Sequence, residues 1–252
     1  MKKILSLFFT ALLVSGFQAQ SKIVKKPVVK TTTVKKPAVA KPNPDLQKVN
    51  DSIPALIPQK KDNKFGFVNQ KGRVIIPYQY SNVGFFAEDC NLLNSSNEKV
   101  KKYGSKEYAS VRKDGVDYRI TMAGKIAYKY KDSDLVKCPF EFKEQLYHSY
   151  VRQGYYGVID RSKFENEVDY RHYIIYPQYQ YLHIMEGDDL KNPMIIAAVD
   201  NKFGVIDINN KVIIPFEYSD IKRNFSWKLA RLFEVTKDGK NYFYVDDKNK
   251  AY

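Results

Sequence analysis

Several things are scarce in this chain of 252 residues. Tryptophan occurs once, cysteine twice and histidine three times. Two cysteines, Cys90 and Cys138, exclude a disulfide-dense scaffold and a four-cysteine zinc site. His148, His172 and His183 lack metal-ligand spacing and none pairs with a cysteine, so neither metal nor cofactor is expected. The acidic clusters Glu186-Gly187-Asp188-Asp189 and Asp132-Ser133-Asp134 do not have the spacing of an EF-hand and read as solvated loops. Glycine-rich phosphate loops, Gly-x-Ser-x-Gly elbows and His-Glu-x-x-His are missing, so no catalytic residue is assigned and the chain is not expected to be an enzyme. Helical periodicity is nearly absent, with at most one turn at Phe142 to His148 and one near Leu229-Ala230.

Long hydrophobic runs are missing too. Crossing a bilayer takes about 20 apolar residues, so no transmembrane segment is expected. The longest run, Ile4 to Val14, comes after Lys2 and Lys3 and precedes small and polar residues that end near Ala19. That order predicts a Sec signal peptide over 1–20, with no cysteine nearby for a lipid anchor. The mature chain is expected to be exported, to the periplasm, the cell surface or beyond. From Ser21 to Pro44 acidic residues are absent, while seven lysines and four prolines recur. Such a segment cannot offset its ordering entropy, so 21–52 is expected to be a disordered, extended spacer. The lysines up to Lys41 supply nine of the net +14, leaving about +5 for 45–252. The basicity therefore reads as a property of the tail, not of a charged face on the domain. Either the tail contacts anionic envelope polymers or it is a plain spacer. Nucleic acid is not an expected partner.

What the chain does have is one phrase written twice. Phe65 to Tyr80 reads FGFVNQKGRVIIPYQY and Phe203 to Tyr218 reads FGVIDINNKVIIPFEY. Gly66 and Pro77 stand as far apart as Gly204 and Pro215. Looser copies carry Tyr156-Gly157 with Pro177, and a run ending at Pro139. The core period is about 38 residues. β-branched and aromatic residues flank turn signals at Gln70-Lys71-Gly72, Asp114-Gly115, Asn201-Lys202 and Asp238-Gly239. The chain therefore reads as all-β: tandem antiparallel meanders stacked as a solenoid-like or propeller-like array. Each proline is expected to end its return strand. The second unit reads with a delayed return strand, Leu135 to Phe142, after an insertion at Ala127 to Asp134. Asn50 to Gln59 reads as an entry segment, Phe85 to Lys106 as a long loop, Arg161 to Arg171 as a second insertion, and the last half unit as a cap without a return strand. In the third unit Tyr179 and Tyr181 fall two and four past the proline, a different local register.

These motifs resemble the WG-repeat family. The aromatic-glycine pairs Phe65-Gly66, Tyr156-Gly157 and Phe203-Gly204, the steps Ile159-Asp160 and Ile206-Asp207, and the phrases ending at Pro77 and Pro215 carry the likeness. Phe or Tyr stands where the family has tryptophan. The resemblance covers about 53–250 and marks 53–252 as the repeat domain, with Tyr80, Pro177 and Tyr218 as further motif positions. It implies repeat architecture and no common reaction or cofactor.

Export permits a Cys90–Cys138 disulfide. Two core cysteines are the alternative, favoured by Cys138 standing where Ile76 and Ile214 stand elsewhere. The leading expectation is an exported, non-enzymatic interaction module that binds an envelope protein or polysaccharide in a bacterium. The alternatives are carbohydrate binding through surface tyrosines, since the chain has 20, and an unrecognised hydrolase. The two insertions are the expected functional loops.

Overall fold

The computed structural model describes residues 44–139, 144–163 and 170–252. The expected signal peptide, most of the spacer, Phe140 to Phe142 and the centre of the loop at 161–171 lie outside them. The described part is all-β, in five small antiparallel sheets. The first contains β1 (Leu56–Lys61), β2 (Lys64–Asn69) and β3 (Val74–Tyr80). The second begins with β4 (Asn82–Phe86), passes through the short helices α1 (Cys90–Leu93) and α2 (Glu98–Lys101), and continues as β5 (Tyr108–Lys113), β6 (Val116–Thr121) and β7 (Ile126–Lys129). The third is β8 (Tyr147–Arg152), β9 (Tyr155–Asp160) and β10 (Tyr173–Tyr179). The fourth is β11 (Tyr181–Ile184), β12 (Ile195–Val199), β13 (Lys202–Ile206) and β14 (Val212–Tyr218). The fifth is β15 (Asp220–Ile221), helix α3 (Ser226–Ala230), β16 (Phe233–Thr236) and β17 (Phe243–Val245).

Two-residue hairpins start four of the units. Asp62-Asn63, Asp114-Gly115, Gln153-Gly154 and Asp200-Asn201 all have positive φ at both positions, as the twist of a tight hairpin requires. The fourth-unit turn is thus one residue earlier than Asn201-Lys202. The second turn of the first, second, fourth and fifth units needs one left-handed residue, supplied by Gly72, Gly124, Asn210 and Asn249. The two asparagines also join units. The Tyr179 hydroxyl donates to Asn210 Oδ1 at 2.6 Å, and the Tyr218 hydroxyl to Asn249 Oδ1 at 2.7 Å.

Several expectations need correction. Proline does not end the return strand: β3, β10 and β14 run through Pro77, Pro177 and Pro215 to a buried tyrosine. The pairing jumps from Phe67↔Ile76 to Phe65↔Tyr80, so Pro77 sits in a bulge where no ladder bond is needed. The jump from Val205↔Ile214 to Phe203↔Tyr218 places Pro215 in the same way. In the third unit the pairing passes from Val158↔Ile175 to Tyr156↔Tyr179. There the tyrosine keeps its place and only the proline moves within the bulge, so the register is not different. Among the described residues the second unit has no delayed strand. β7 begins directly after the Gly124 turn, with Ile120↔Ile126 and Arg119↔Tyr128, and Leu135 to Pro139 is not a strand. Cys138 therefore has no strand-core position. The segment read as an entry holds β1, and Pro58 is tolerated there because β1 is an edge strand. The segment read as a long loop holds two capped helices, with Asp89 accepting from Asn91 N and Asn97 from Lys99 N. The last unit does have a return contact, a bridge between Val245 and Ala251. One helical turn exists at α3, but 147–148 begin β8 and 144–146 are not helical.

Consecutive sheets share cores. Leu56, Phe67, Ile76 and Tyr80 pack with Ala109, Val111 and Ile120. Val158, Ile175 and Tyr179 pack with Leu182, Ile195 and Ile206. Val205, Ile214 and Tyr218 pack with Ile221, Phe233 and Val235. The last sheet then meets the first: Ile53, Ile57, Val68 and Phe85 form one cluster with Ala230 and Leu232, and the rings of Phe85 and Tyr244 are 5.3 Å apart. Each such fully buried side chain contributes about 1.5–3 kcal/mol.

The glycine of the repeat phrase lies against the proline bulge. A Cβ on Gly66 would stand 2.5 Å from the Ile76 carbonyl oxygen, one on Gly157 2.5 Å from that of Ile175, and one on Gly204 2.7 Å from that of Ile214. Gly84 differs, its nearest neighbour being 3.8 Å away. Gly66→Ala and Gly204→Ala are therefore expected to lose about 2–3 kcal/mol each by urea unfolding, against under about 1 kcal/mol for Gly84→Ala. Equal losses at Gly66 and Gly84 would contradict this account.

Candidate functional site

Three of the four junctions between sheets obey one rule. A single residue separates β3 from β4, β10 from β11 and β14 from β15, so the return strand runs directly into the next sheet. The joint residue bonds to that next sheet: Ser81 N to Arg112 O, Gln180 N to Ala198 O and Ser219 N to Thr236 O, at 2.8 to 2.9 Å. The junction between the second and third sheets breaks the rule. β7 is short, and the described residues of the connector that leads to β8 form no strand.

A disulfide holds that connector. Cys90, at the start of α1, is bonded to Cys138, with Cα atoms 5.5 Å apart. Beside it Val136 N donates to Asn91 O at 3.0 Å. The helical insert itself is tied down by Arg119, which is only 2% exposed. Its guanidinium donates to the carbonyls of Tyr103, Ala87 and Ser105 and to Ser110 Oγ, at 2.7 to 3.0 Å. A buried charge needs such saturation. Ser110 Oγ also meets the Tyr130 hydroxyl at 2.8 Å, and Tyr130 donates to Asp89 at 2.6 Å. Burial and that carboxylate push the Tyr130 pKa up to about 12.

Between the disulfide, β8, β11 and α3 lies a cavity of about 850 Å³. Leu146, Ile184, Met185 and Phe225 supply its apolar wall, and His148, Arg161, Glu186 and Lys228 its polar rim. Phe225 is 54% exposed and Leu146 40% exposed. Stacking of Trp227 on Phe233, with centroids 4.6 Å apart, fixes α3 from below. Asp189 shapes the loop at the rim by accepting from Lys191 N, Asn192 N and Asn192 Nδ2. The Asn192 side chain, then its backbone N–H, holds the Asp189 carboxyl below the usual range. An adjoining hollow of about 310 Å³ is lined by His183, Glu186 and Arg223. Burial, and then Arg223, pushes the His183 pKa down, so the imidazole is neutral at pH 7. This arrangement suits an amphipathic ligand, with a flat apolar part against Phe225 and polar groups at the rim.

The residues singled out in the sequence fall in several places. Phe65, Tyr156 and Phe203 face Tyr80, Tyr179 and Tyr218 across strands, and these six line sheet-to-sheet cores rather than the cavity. Among the tyrosines, Tyr155 and Tyr176 are 50% and 56% exposed. Tyr181 is half-buried, with the Arg223 guanidinium 4.6 Å over its ring. His148 and His183 line the two hollows, whereas His172 ends a 3₁₀ turn. Among the described residues no three His, Cys, Asp or Glu side chains are placed to hold a metal ion. Asp134 of the other acidic cluster bonds to Tyr128 and Asn97. The stretch read as an insertion at Ala127 to Asp134 is β7 and a 3₁₀ turn. Sequence reasoning missed Phe225 and Leu146, whose only signal was an apolar residue outside any repeat phrase.

With that geometry in hand, comparison with known proteins adds one family. The model described as WG containing repeat matches residues 65–90 and 203–240, that is, from β2 to β4 and from β13 to β16. Those stretches are WG repeats in which phenylalanine replaces tryptophan. No curated protein matches. A solved structure titled "Crystal structure of the eukaryotic initiation factor" aligns with 78% of this chain at 9% identity and a TM-score of 0.27. The chain covers about half of it, 51%, and a likeness that low carries no argument.

The site generates two testable outcomes. Removing the disulfide by Cys90→Ser with Cys138→Ser is expected to cost about 2–4 kcal/mol in chemical unfolding, and trypsin should then cut first at Lys131 or Lys137. A variant as stable and as resistant as the parent would show that the connector does not need the bridge. His183 should titrate below about 6.5 by NMR. Its folded-state pKa is depressed, so the unfolded chain binds the extra proton first, and stability is lost as pH falls below about 6.5. A His183 titration at or above that value would contradict the burial argument.

Proposed function

We propose that this chain is an exported, non-enzymatic binding module of the bacterial cell envelope, whose repeat array holds a protein or polysaccharide. The observation that carries the reading is the cavity beside the disulfide. It exposes Phe225 and Leu146 together on an array whose other large apolar residues mostly fill sheet-to-sheet cores. Exposed apolar groups rimmed by polar ones mark interaction sites. The Cys90–Cys138 bridge favours an oxidising compartment and so supports export.

Carbohydrate binding remains the second reading because Tyr155 and Tyr176 present broad exposed rings on the third sheet. The mature chain from residue 21, a version starting at Asp45 and a Leu146→Ser/Phe225→Ser variant would be pelleted with envelope fractions at low and high salt. Salt-resistant pelleting by both parents, lost in the variant without a drop in melting temperature, is the expected result. Pelleting that needs the tail and is released by salt would sink the proposal. Loss only with Tyr155→Ala/Tyr176→Ala would move the site to the tyrosines.

A further inference from the structure

The positive charge of the folded part is concentrated in one place. Residues 98–137 hold eleven Lys and Arg against six Asp and Glu, whereas 45–97 and 138–252 carry net +1 and −1. The +5 that looked dispersed in the total is thus the charge of the second unit alone.

There α2, the 3₁₀ turn after it, β7 and the turn at Asp132–Asp134 enclose a cavity of about 430 Å³. Lys99, Lys102 and Lys131 reach it from three different elements. The stacked pair Tyr103 and Tyr128 also lines it, with centroids 4.9 Å apart and planes 13° apart. The Lys102 ammonium lies 4.8 Å over the Tyr103 ring. The one carboxylate lining the cavity, Asp134, is turned inward. It accepts from the Tyr128 hydroxyl and from Asn97 Nδ2 at 3.1 Å. Those bonds, Tyr128 contributing first, and more weakly the charge of Lys131 hold its pKa below the usual carboxylate range. Lys101 is neutralised by Glu98 at 2.6 Å, but no ion pair is formed by Lys99, Lys102 or Lys131 among the described residues. Lys129 on the edge strand β7 has an ordinary explanation, since edge lysines block strand addition. The other three do not lie on that edge.

We infer that this hollow of the second unit binds an acidic polysaccharide. Three lysines lining one hollow, none in a close ion pair among the described residues and only Lys131 acting on its one carboxylate, call for an anionic ligand. Charge spread over 98–137, beyond the hollow, fits a polymer with repeated acid groups rather than a single small anion. A concave site lined by tyrosines fits a sugar ring better than the plane of lipid headgroups. This deepens the envelope-binding reading by naming a ligand class, on a surface separate from the Phe225 cavity.

The test uses the whole mature chain, so that the basic tail is constant. Lys99→Gln/Lys102→Gln/Lys131→Gln would be compared with Lys61→Gln/Lys202→Gln/Lys211→Gln, which removes the same charge from other units. Binding to polygalacturonate, polyphosphate, neutral dextran and phosphatidylglycerol vesicles would be measured at low ionic strength. The first variant should lose about tenfold or more in affinity for polygalacturonate and the second less than about threefold, with no dextran binding by any form. Equal losses in both variants, or no loss in the first, would overturn the site. The same variant-sensitive binding to vesicles or to polyphosphate would overturn the glycan class. Because Leu146 and Phe225 are untouched, envelope pelleting by the first variant reports separately on the Phe225 cavity.

Discussion

The close approach of a glycine to a proline bulge is the constraint on which the repeats depend. Opposite Gly66, Gly157 and Gly204 the return strand carries a bulge that brings a carbonyl to where a Cβ would stand. The bulge turns the strand so that its last residue, a tyrosine, enters the shared core and the chain passes into the next sheet one residue later. Glycine, proline, tyrosine and joint are therefore one device. The second unit shows this by lacking it. Register places Tyr118 where Gly66 stands, and Lys129 pairs with it where the proline bulge would be. No jump in pairing occurs beyond that point, and β7 does not run on into another sheet.

That lapse explains the rest of the second unit. Without a continuous strand, the chain reaches the third sheet through a connector that needs outside support, and the disulfide supplies it from α1. α1 in turn belongs to an insert fastened by Arg119. Register puts this buried cation where Phe67 stands in the first unit. A hydrogen-bonded charge replaces an apolar plug, and the bridge, the large cavity and the lysine-lined hollow all adjoin the segment it secures.

The fold was legible wherever a local rule governs the backbone. Positive-φ turns and alternating strands are written in neighbouring residues, and the likeness of the first and fourth units extends to every bulge. Legibility failed where tertiary context overrode the letters. The run before Pro139 looked like the return phrase, yet the plainer Ile126-Ala127-Tyr128-Lys129 forms the strand because it comes straight after the turn and meets β6 in register. Proline seemed a terminator because a bulge cannot be seen without its partner strand. The cavity beside Phe225 was invisible, since it gathers residues from the connector, β8, β11 and α3, which no repeat phrase links. The charge of the second unit was present in the letters but hidden by summing over the domain.

The cluster that joins the last sheet to the first has a consequence in time. Ile53, Ile57 and Val68 wait for Ala230, Leu232 and the ring of Tyr252 to cover them. A chain emerging from its amino end therefore displays an uncovered apolar face on its first unit until residues 230–252 have followed. The first sheet to appear is among the last to be covered.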